Sequence, residues 1–137
     1  GLVCYDGFLY YSTIYQVMRK FDVRNKVIFA DACFSGKMRY SNQRNDSRSK
    51  DNVMLFLSSR STELSMEMPR QTGFHNSLFT VFLERGLRGG ADIDRNRILT
   101  ANELYTYVHE GVVKASGNRQ HPVMWGKFDG AMPVIKW

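Results

Sequence analysis

Cysteine is scarce in this sequence and no long apolar run is present, and each absence excludes a class of protein. Two cysteines among 137 residues cannot form a disulfide framework, so we expect both thiols to be free and the surroundings to be reducing, as in the cytoplasm. No apolar stretch approaches the roughly 18 residues of a membrane span, so no membrane partner is expected. Because residue 1 is Gly and not Met, we expect the natural start to lie upstream, which leaves the compartment open.

What the sequence does contain suits one folded domain with a buried core. Hydrophobic residues make up 43% of the chain and aromatic residues 13%, which excludes a disordered protein. The formal net charge is +6, and within residues 37–51 five basic residues outnumber two acidic ones. Residues 38–52 lack any helical or strand period and hold a single aromatic residue, Tyr40. An exposed basic linker is therefore predicted there, and no nucleic-acid partner.

Apolar periodicity predicts the remaining elements. Short apolar runs at 26–30 and 53–57 are typical of strands that are buried on both faces. Helical periodicity predicts three amphipathic helices, over residues 12–21, within 73–89 and over 101–113. Strands that alternate with helices favour a single α/β domain, residues 1–137, with a mainly parallel central sheet. In such sheets, functional side chains gather beyond the carboxyl ends of the strands.

One cysteine, Cys33, follows the first of these strands in the stretch KVIFADACFSGK, residues 26–37. A nucleophilic thiol needs exposure, a route to the thiolate, and hydrogen-bond donors for the oxyanion that it creates. A turn after the strand would expose the sulfur, the Cys33 N–H would serve as an oxyanion donor, and Gly36 would let the chain bend away without a Cβ. From its position alone, a buried structural cysteine is the other interpretation.

The stretch VIFADACFSG resembles the catalytic-cysteine strand of caspase-like peptidases, in the branch of metacaspases and bacterial orthocaspases. Three further stretches resemble the same family in the expected order. FLSSRSTELSME (56–67) is similar to the strand and loop after its interdomain linker, residues 73–108 to its helical run with G-x-A-D, and QHPVMWG (120–126) to its closing strand. Four collinear stretches span most of the chain, which is far more specific than a lone D-A-C.

The resemblance implies a caspase-like three-layer α/β fold, here incomplete at its N-terminal strands, and a cysteine endopeptidase acting on peptide or protein substrates. Cys33 matches the position of the nucleophile. Asp31 matches the acid that helps to line the pocket for a basic P1 side chain, so Arg or Lys at P1 is expected. A carboxylate selects such side chains through a charge-assisted hydrogen bond. The other interpretation of Asp31 is a strand-end carboxylate that binds backbone N–H groups.

A cysteine peptidase of this kind also needs a histidine base, which the resemblance puts roughly 50 residues before the cysteine. That position would lie upstream of Gly1. The histidines of this sequence, His75, His109 and His121, all follow Cys33, and none matches the family's base. We therefore expect a separate N-terminal chain, produced by proteolytic maturation, to carry the catalytic histidine. The other interpretation is a truncated or degenerate relative that binds without cutting.

The resemblance also gives the basic linker a second role, because caspase-like enzymes often mature by cutting the loop after the catalytic cysteine. With a preference for Arg or Lys at P1, the bonds after four basic residues of this linker are potential self-cleavage sites. These residues are Arg39, Arg44, Arg48 and Lys50.

The stretch DIDRNRILTANE, residues 92–103, has oxygen-bearing residues at the spacing of an EF-hand calcium loop. The side-chain candidates are Asp92, Asp94, Asn96 and Glu103. Against calcium, Arg97 occupies the position where the sharp turn favours Gly, and a capping box formed by Thr100 and Glu103 explains the glutamate without a metal. We therefore expect that no cofactor is required, with Ca²⁺ as the weaker alternative.

Two other functions stay open from the sequence. A non-catalytic scaffold with a caspase-like fold would keep the four stretches but cleave nothing. A clostripain-like peptidase of the same clan would share the Cys–His chemistry and the basic P1 preference. Cleavage of peptides that end in Arg, Lys or Asp separates the peptidases from the scaffold, when the rate of the unaltered protein is compared with that of the Cys33→Ala variant.

Overall fold

The computed structural model describes residues 1–42, 52–67 and 76–137. The strands and helices of these ranges follow one another in this order: β1 (Leu2–Cys4), β2 (Gly7–Leu9), α1 (Tyr11–Arg19), β3 (Asn25–Ala30), a 3-10 helix (Ser35–Asn42), β4 (Asn52–Leu57), α2 (Leu78–Arg85), a π-helical turn (Gly86–Gly90), β5 (Ile98–Thr100), α3 (Ala101–Ala115), β6 (Val123–Lys127) and β7 (Pro133–Lys136). No helix in the described ranges is both long and apolar enough to cross a membrane.

The central sheet of the described residues has the strand order β3-β4-β6. β3 and β4 are parallel, with Asn25 opposite Asn52. β6 is antiparallel to β4, because it begins beside the carboxyl end of β4, where Val123 lies opposite Leu57. The α/β class is thus confirmed, but this sheet is mixed and not mainly parallel as predicted. Two smaller antiparallel sheets, β1-β2 and β5-β7, complete the strand pairing of these ranges.

β4 lies in the middle of the central sheet, and its alternating side chains form both halves of the core. Met54 and Phe56 are fully buried on one face, in the cluster that includes side chains of α2 and α3. Leu55 and Leu57 are fully buried on the other face, in the cluster that includes side chains of α1. Complete burial of each such side chain contributes about 1.5 to 3 kcal/mol. Helices on both faces account for the continuous apolar sequence of this strand.

The two helices on the first face begin at side-chain caps. Thr100 Oγ1 accepts a hydrogen bond from Glu103 N at 3.3 Å, and the Glu103 carboxylate accepts one from Thr100 N at 3.0 Å. The predicted capping box of α3 is therefore confirmed. Ser77 caps α2 by accepting from Thr80 N at 3.0 Å, so this helix begins at Leu78.

α1 differs from its prediction in the face that it buries. The helical period of residues 12–21 puts Val17 and Phe21 on the apolar face, but they are 46% and 55% exposed, and Phe21 lies beyond the end of the helix. Tyr15 is buried instead, and its hydroxyl donates to the Met38 carbonyl oxygen at 3.3 Å. A tyrosine can fill this place because its ring is apolar and its hydroxyl finds an acceptor.

The predicted linker, residues 38–52, starts too early. A 3-10 helix covers Ser35–Asn42, and the Met38 side chain is only 1% exposed, in the same cluster as Tyr15. Because the residues that follow Met38 are polar, its burial in the core was not predicted from the sequence. Of the four predicted self-cleavage positions, Arg39 lies in the 3-10 helix. The other three, Arg44, Arg48 and Lys50, lie outside the described residues.

Candidate active site

Cys33 lies in a sharp turn just beyond the carboxyl end of β3. Ser35 N donates to the Ala32 carbonyl oxygen at 3.1 Å, which closes the turn around Cys33 and Phe34. Phe34 has a left-handed backbone, with φ at 58°, which costs a residue other than Gly roughly 1 to 2 kcal/mol. Similar strained turns hold nucleophiles out from the ends of strands in other enzymes.

Serine residues that follow β4 hold this turn in place. The Ala32 N–H donates to Ser58 Oγ at 3.1 Å, and the Ser59 N–H donates to Ser35 Oγ at 3.0 Å. Ser35, Ser58 and Ser59 are at most 1% exposed. A buried polar group that loses its partner costs about 1 to 3 kcal/mol, so these hydrogen bonds fasten the turn after β3 to the end of β4.

Gly36 lets the turn lie directly against the backbone that follows β4. Its N–H donates to the Ser59 carbonyl oxygen at 2.9 Å. A Cβ on Gly36 would lie 2.5 Å from Ser61 N and 2.7 Å from the Arg60 carbonyl carbon, closer than real Cβ atoms approach. The prediction that this position must lack a Cβ is confirmed, and the reason is this contact between two backbone segments.

The turn borders a cleft of about 520 Å³, which is within the size range of ligand-binding pockets. Asp31 and Cys33 line the cleft, together with Cys4 and neighbouring residues of β1. Both cysteines are free, as predicted, and both are exposed, so the interpretation of Cys33 as a buried structural cysteine is wrong. The Cys33 N–H makes no hydrogen bond within the described ranges, which leaves a donor beside an exposed thiol.

Asp31 lies on the same cleft and is held by three hydroxyl groups. Ser65 Oγ donates to its Oδ1 at 2.8 Å, and Thr80 Oγ1 donates to its Oδ2 at 2.6 Å. Ser77 Oγ also donates to Oδ2. All of these donors are side chains, so the interpretation of Asp31 as a carboxylate that binds backbone N–H groups is wrong for the described residues. The structure thus brings the predicted nucleophile and the predicted P1 selector onto one cleft.

Neither described histidine lines the cleft. In His109, Nδ1 lies 2.9 Å from a backbone carbonyl oxygen. In His121 both ring nitrogens are engaged, with Nδ1 2.9 Å from Glu63 Oε1 and Nε2 3.0 Å from an asparagine side-chain oxygen. Neither ring is placed to take the proton of the Cys33 thiol, and His75 lies outside the described residues.

Glu63 connects His121 to the turn that carries Cys33. Its carbonyl oxygen accepts from Phe34 N at 2.8 Å, and its carboxylate accepts from His121 N at 2.9 Å. Burial by itself raises the pKa of Glu63, but hydrogen bonds from the backbone N–H groups of His121 and Arg60 and from the His121 ring outweigh it. The pKa is therefore lowered from its usual 4.5, and the ionised carboxylate is the form that fits the structure.

Replacing Glu63 by Gln is expected to lower the midpoint of thermal unfolding by a few degrees at about pH 7. A carboxyl group whose pKa is lowered by folding stabilises the protein above its unfolded value and loses this effect as the pH falls through the lower folded value. The difference in midpoint between the unaltered chain and Glu63→Gln should therefore shrink as the pH is lowered below 4.5, as measured by circular dichroism. Glu110→Gln, an exposed change on α3, is the control. A difference in unfolding midpoint that stays constant at all pH values would contradict this role for Glu63.

The acidic loop before α3 brings three of the four calcium candidates together. Carboxylate oxygens of Asp92, Asp94 and Glu103 lie within 4.8 Å of one another. Asp92 accepts two backbone N–H groups of the loop, Asn96 Nδ2 donates to Asp94 at 2.8 Å, and Glu103 completes the capping box of α3. These hydrogen bonds explain the acidic cluster without a metal ion, and calcium binding there stays a prediction.

Sequence reasoning missed the three hydroxyls that hold Asp31. Ser65 is 34 positions from Asp31, and Thr80 is 49 positions away, so no local pattern joins them. Ser77 carries the one available signal, since a serine just before an apolar helical stretch is typical of an N-cap. That signal predicts the start of α2 but not the contact with the carboxylate.

Comparison with protein families matches residues 2–129 to a family model described as the caspase domain. The matched range is nearly the whole chain and includes the Cys33 turn, the cleft-lining Asp31 and all three of its hydroxyl donors. Comparison with curated protein sequences found no match.

Proposed function

The chain belongs to the caspase domain family, and from that premise we propose that it is a cysteine endopeptidase that cleaves peptide bonds after Arg or Lys. The observation that carries this proposal is the cleft on which an exposed thiol, Cys33, lies beside a carboxylate, Asp31. A thiol with a backbone N–H donor next to it suits acyl transfer, and a carboxylate suits a basic P1 side chain.

In the proposed reaction, a histidine takes the proton of the Cys33 thiol, and the sulfur attacks the carbonyl carbon of the scissile peptide bond. A carbon–sulfur bond forms, and the carbonyl oxygen becomes an oxyanion that accepts a hydrogen bond from the Cys33 N–H. When the carbon–nitrogen bond breaks, the leaving amine takes a proton from a histidine. Water then gives a proton to the same histidine and attacks the acyl group. The carbon–sulfur bond breaks, the acid product is released, and the sulfur takes the proton back from the histidine, which restores the thiol.

We assign that histidine to polypeptide outside the described residues, in a separate N-terminal chain made by maturation. β3 is an edge strand of the described sheet, and its Phe29 is 39% exposed. Val3 and Phe8, in the β1-β2 hairpin, are 81% and 66% exposed. A further strand beside β3 would cover an apolar edge of this kind, and it would bring a histidine within reach of the cleft.

Asp31 supports the finer assignment to the branch of metacaspases and bacterial orthocaspases. The caspase signature begins Q-A-C, with glutamine two residues before the cysteine, where this chain has Asp31. A carboxylate in that position attracts Arg or Lys and repels Asp at P1. The proposed substrates are peptides and proteins with accessible Arg or Lys, and the chain's own basic segment, 38–52, is a candidate for self-cleavage.

Fluorogenic peptides that end in Arg, Lys or Asp test this proposal when they are offered to the natural full-length polypeptide. Cleavage after Arg and Lys is expected, with kcat/KM for the Asp peptide lower by roughly a hundredfold or more, because like charges brought together cost several kcal/mol. Prior treatment with iodoacetamide, which alkylates exposed thiols, should stop the reaction.

The other outcomes each contradict a different part of the proposal. Cleavage of none of the peptides would favour a non-catalytic caspase-like scaffold. A preference for Asp would remove the pocket role of Asp31 while keeping a peptidase. A clostripain-like enzyme would share the basic preference, but the family match over residues 2–129 supports the caspase assignment.

A further inference from the structure

The Asp31 carboxylate has two oxygens with about four acceptor positions in total. Oδ2 accepts from both Ser77 Oγ and Thr80 Oγ1, so both of its positions are used. Oδ1 accepts from Ser65 Oγ alone, so one of its two acceptor positions is unoccupied. No other donor within the described ranges reaches this carboxylate. A ligand in the cleft therefore meets one open acceptor position on Asp31, and that position is on Oδ1.

Two of the three hydroxyls are oriented by a donor on their other side. Ser77 Oγ accepts from Thr80 N at 3.0 Å, as the N-cap of α2. Ser65 Oγ accepts from Nε2 of Gln120 at 3.3 Å, and Gln120 is fully buried. Because each serine oxygen already accepts an N–H, its own proton is directed to Asp31. The hydroxyls are thus fixed as donors to this carboxylate.

We propose that Ser77 and Thr80 set the choice between Lys and Arg at P1 by filling both acceptor positions of Asp31 Oδ2. This inference rests on the proposed function, in which Asp31 binds the P1 side chain. A guanidinium binds a carboxylate most strongly through two parallel N–H bonds, one to each oxygen. With Oδ2 filled, an Arg side chain is restricted to one bond, on Oδ1.

A Lys side chain does not suffer this restriction. Its ammonium group is a compact point charge, and one acceptor position is enough for a charge-assisted hydrogen bond. The hydroxyls therefore remove the usual advantage of Arg over Lys at a carboxylate. Ser77 and Thr80 act through Asp31 and need not touch the substrate, so they are positioning residues.

Thr80 is the residue to change, because Ser77 also caps α2 and Ser65 is tied to Gln120. Thr80→Val replaces the hydroxyl by a methyl group of similar size and opens one position on Oδ2. The ratio of kcat/KM for the Arg peptide to that for the Lys peptide is expected to rise by about fivefold, the effect of one additional hydrogen bond. The change should fall mainly on KM, since the bond forms in the bound substrate and in the transition state alike.

Three companion variants make this test specific. Thr80→Ser keeps the hydroxyl and is expected to keep the original Arg-to-Lys ratio. Thr106→Val makes the same chemical change at an exposed position of α3, away from the cleft, and should also keep it. Thr80→Ala removes the hydroxyl without adding a β-branched apolar side chain to α2, so it serves if valine disturbs the helix.

The inference and the proposed function fail in distinguishable ways. If the full-length protein cleaves neither basic peptide, the proposed function is wrong and the inference falls with it. If it cleaves both, and Asp31→Asn removes the basic preference, an unchanged ratio in Thr80→Val and Thr80→Ala overturns the inference alone. An equal change in Thr80→Ser would also overturn it, because the hydroxyl would then not be the cause.

Discussion

Replacing Cys33 by alanine is expected to abolish cleavage of the Arg and Lys peptides, with a loss of at least roughly 10⁴-fold in kcat/KM. The sulfur forms the covalent bond of the proposed reaction, and no other side chain of the turn carries a comparable nucleophile. Cys33 is exposed, so its loss should not alter the midpoint of thermal unfolding. The fluorogenic assay and a thermal melt of the same preparation measure both quantities.

Cys4 provides a stringent comparison because it is a second exposed thiol on the same cleft. It lies at the end of β1, in a two-stranded hairpin, and not in a strained turn at the end of a central strand. Cys4→Ala is therefore expected to keep most of the activity. The reverse result, with activity lost in Cys4→Ala and kept in Cys33→Ala, would assign the nucleophile to the hairpin.

The elements that could be predicted from the sequence are those with a local cause. The strands predicted at 26–30 and 53–57 are Asn25–Ala30 and Asn52–Leu57, because burial on both faces requires a continuous apolar run. The start of α3 was predictable because the capping box lies within four consecutive residues.

Other features of the fold depend on long-range contacts and leave no local pattern. The direction of β6 depends on where the chain re-enters the sheet, and β5 pairs with β7 across a register shift between Leu99 and Thr100. The buried face of α1 depends on which side chain finds a partner, and Tyr15 has one in the Met38 carbonyl oxygen. Periodicity ranks apolar side chains above tyrosine, so it placed the half-buried Ile14 and Met18 correctly but chose Val17 in place of Tyr15.

The candidate site also combines residues with a local sequence signal and residues brought together only by long-range contacts. Cys33 and Asp31 are two residues apart at the end of one strand, so the sequence alone put them on one edge of the sheet. The hydroxyls of Ser65, Ser77 and Thr80 reach Asp31 only after the chain has formed the sheet and α2. The sequence therefore predicted which carboxylate lies beside the thiol, but not how many acceptor positions it keeps.

Replacing Asp31 by asparagine is expected to lower kcat/KM for the Arg and Lys peptides by about 30-fold to about 3,000-fold. Asp31 is exposed in the free protein, and the bound substrate would shield the charge pair from water. The range corresponds to the loss of about 2 to 5 kcal/mol when one partner of such a shielded pair is removed, at about 1.4 kcal/mol for each factor of ten. Asparagine is the suitable replacement because it keeps the size of aspartate and one side-chain oxygen that still accepts from the hydroxyls facing it. The rate at which iodoacetamide alkylates Cys33 should stay close to that of the unaltered chain.

A pair of peptides that differ only in the charge of the P1 side chain isolates the effect of the carboxylate. Citrulline has the shape of Arg but no charge, so the unaltered enzyme should strongly prefer the Arg peptide, and Asp31→Asn should cleave the two at similar rates. Asp31 is the only acidic residue among the described residues that line the cleft. Lys37 also lines it, but its Nζ lies 5.0 Å from the centroid of the Phe34 ring, and no ion pair within the described ranges neutralises Asp31. A preference for Arg over citrulline that survives Asp31→Asn would show that another carboxylate binds the P1 side chain.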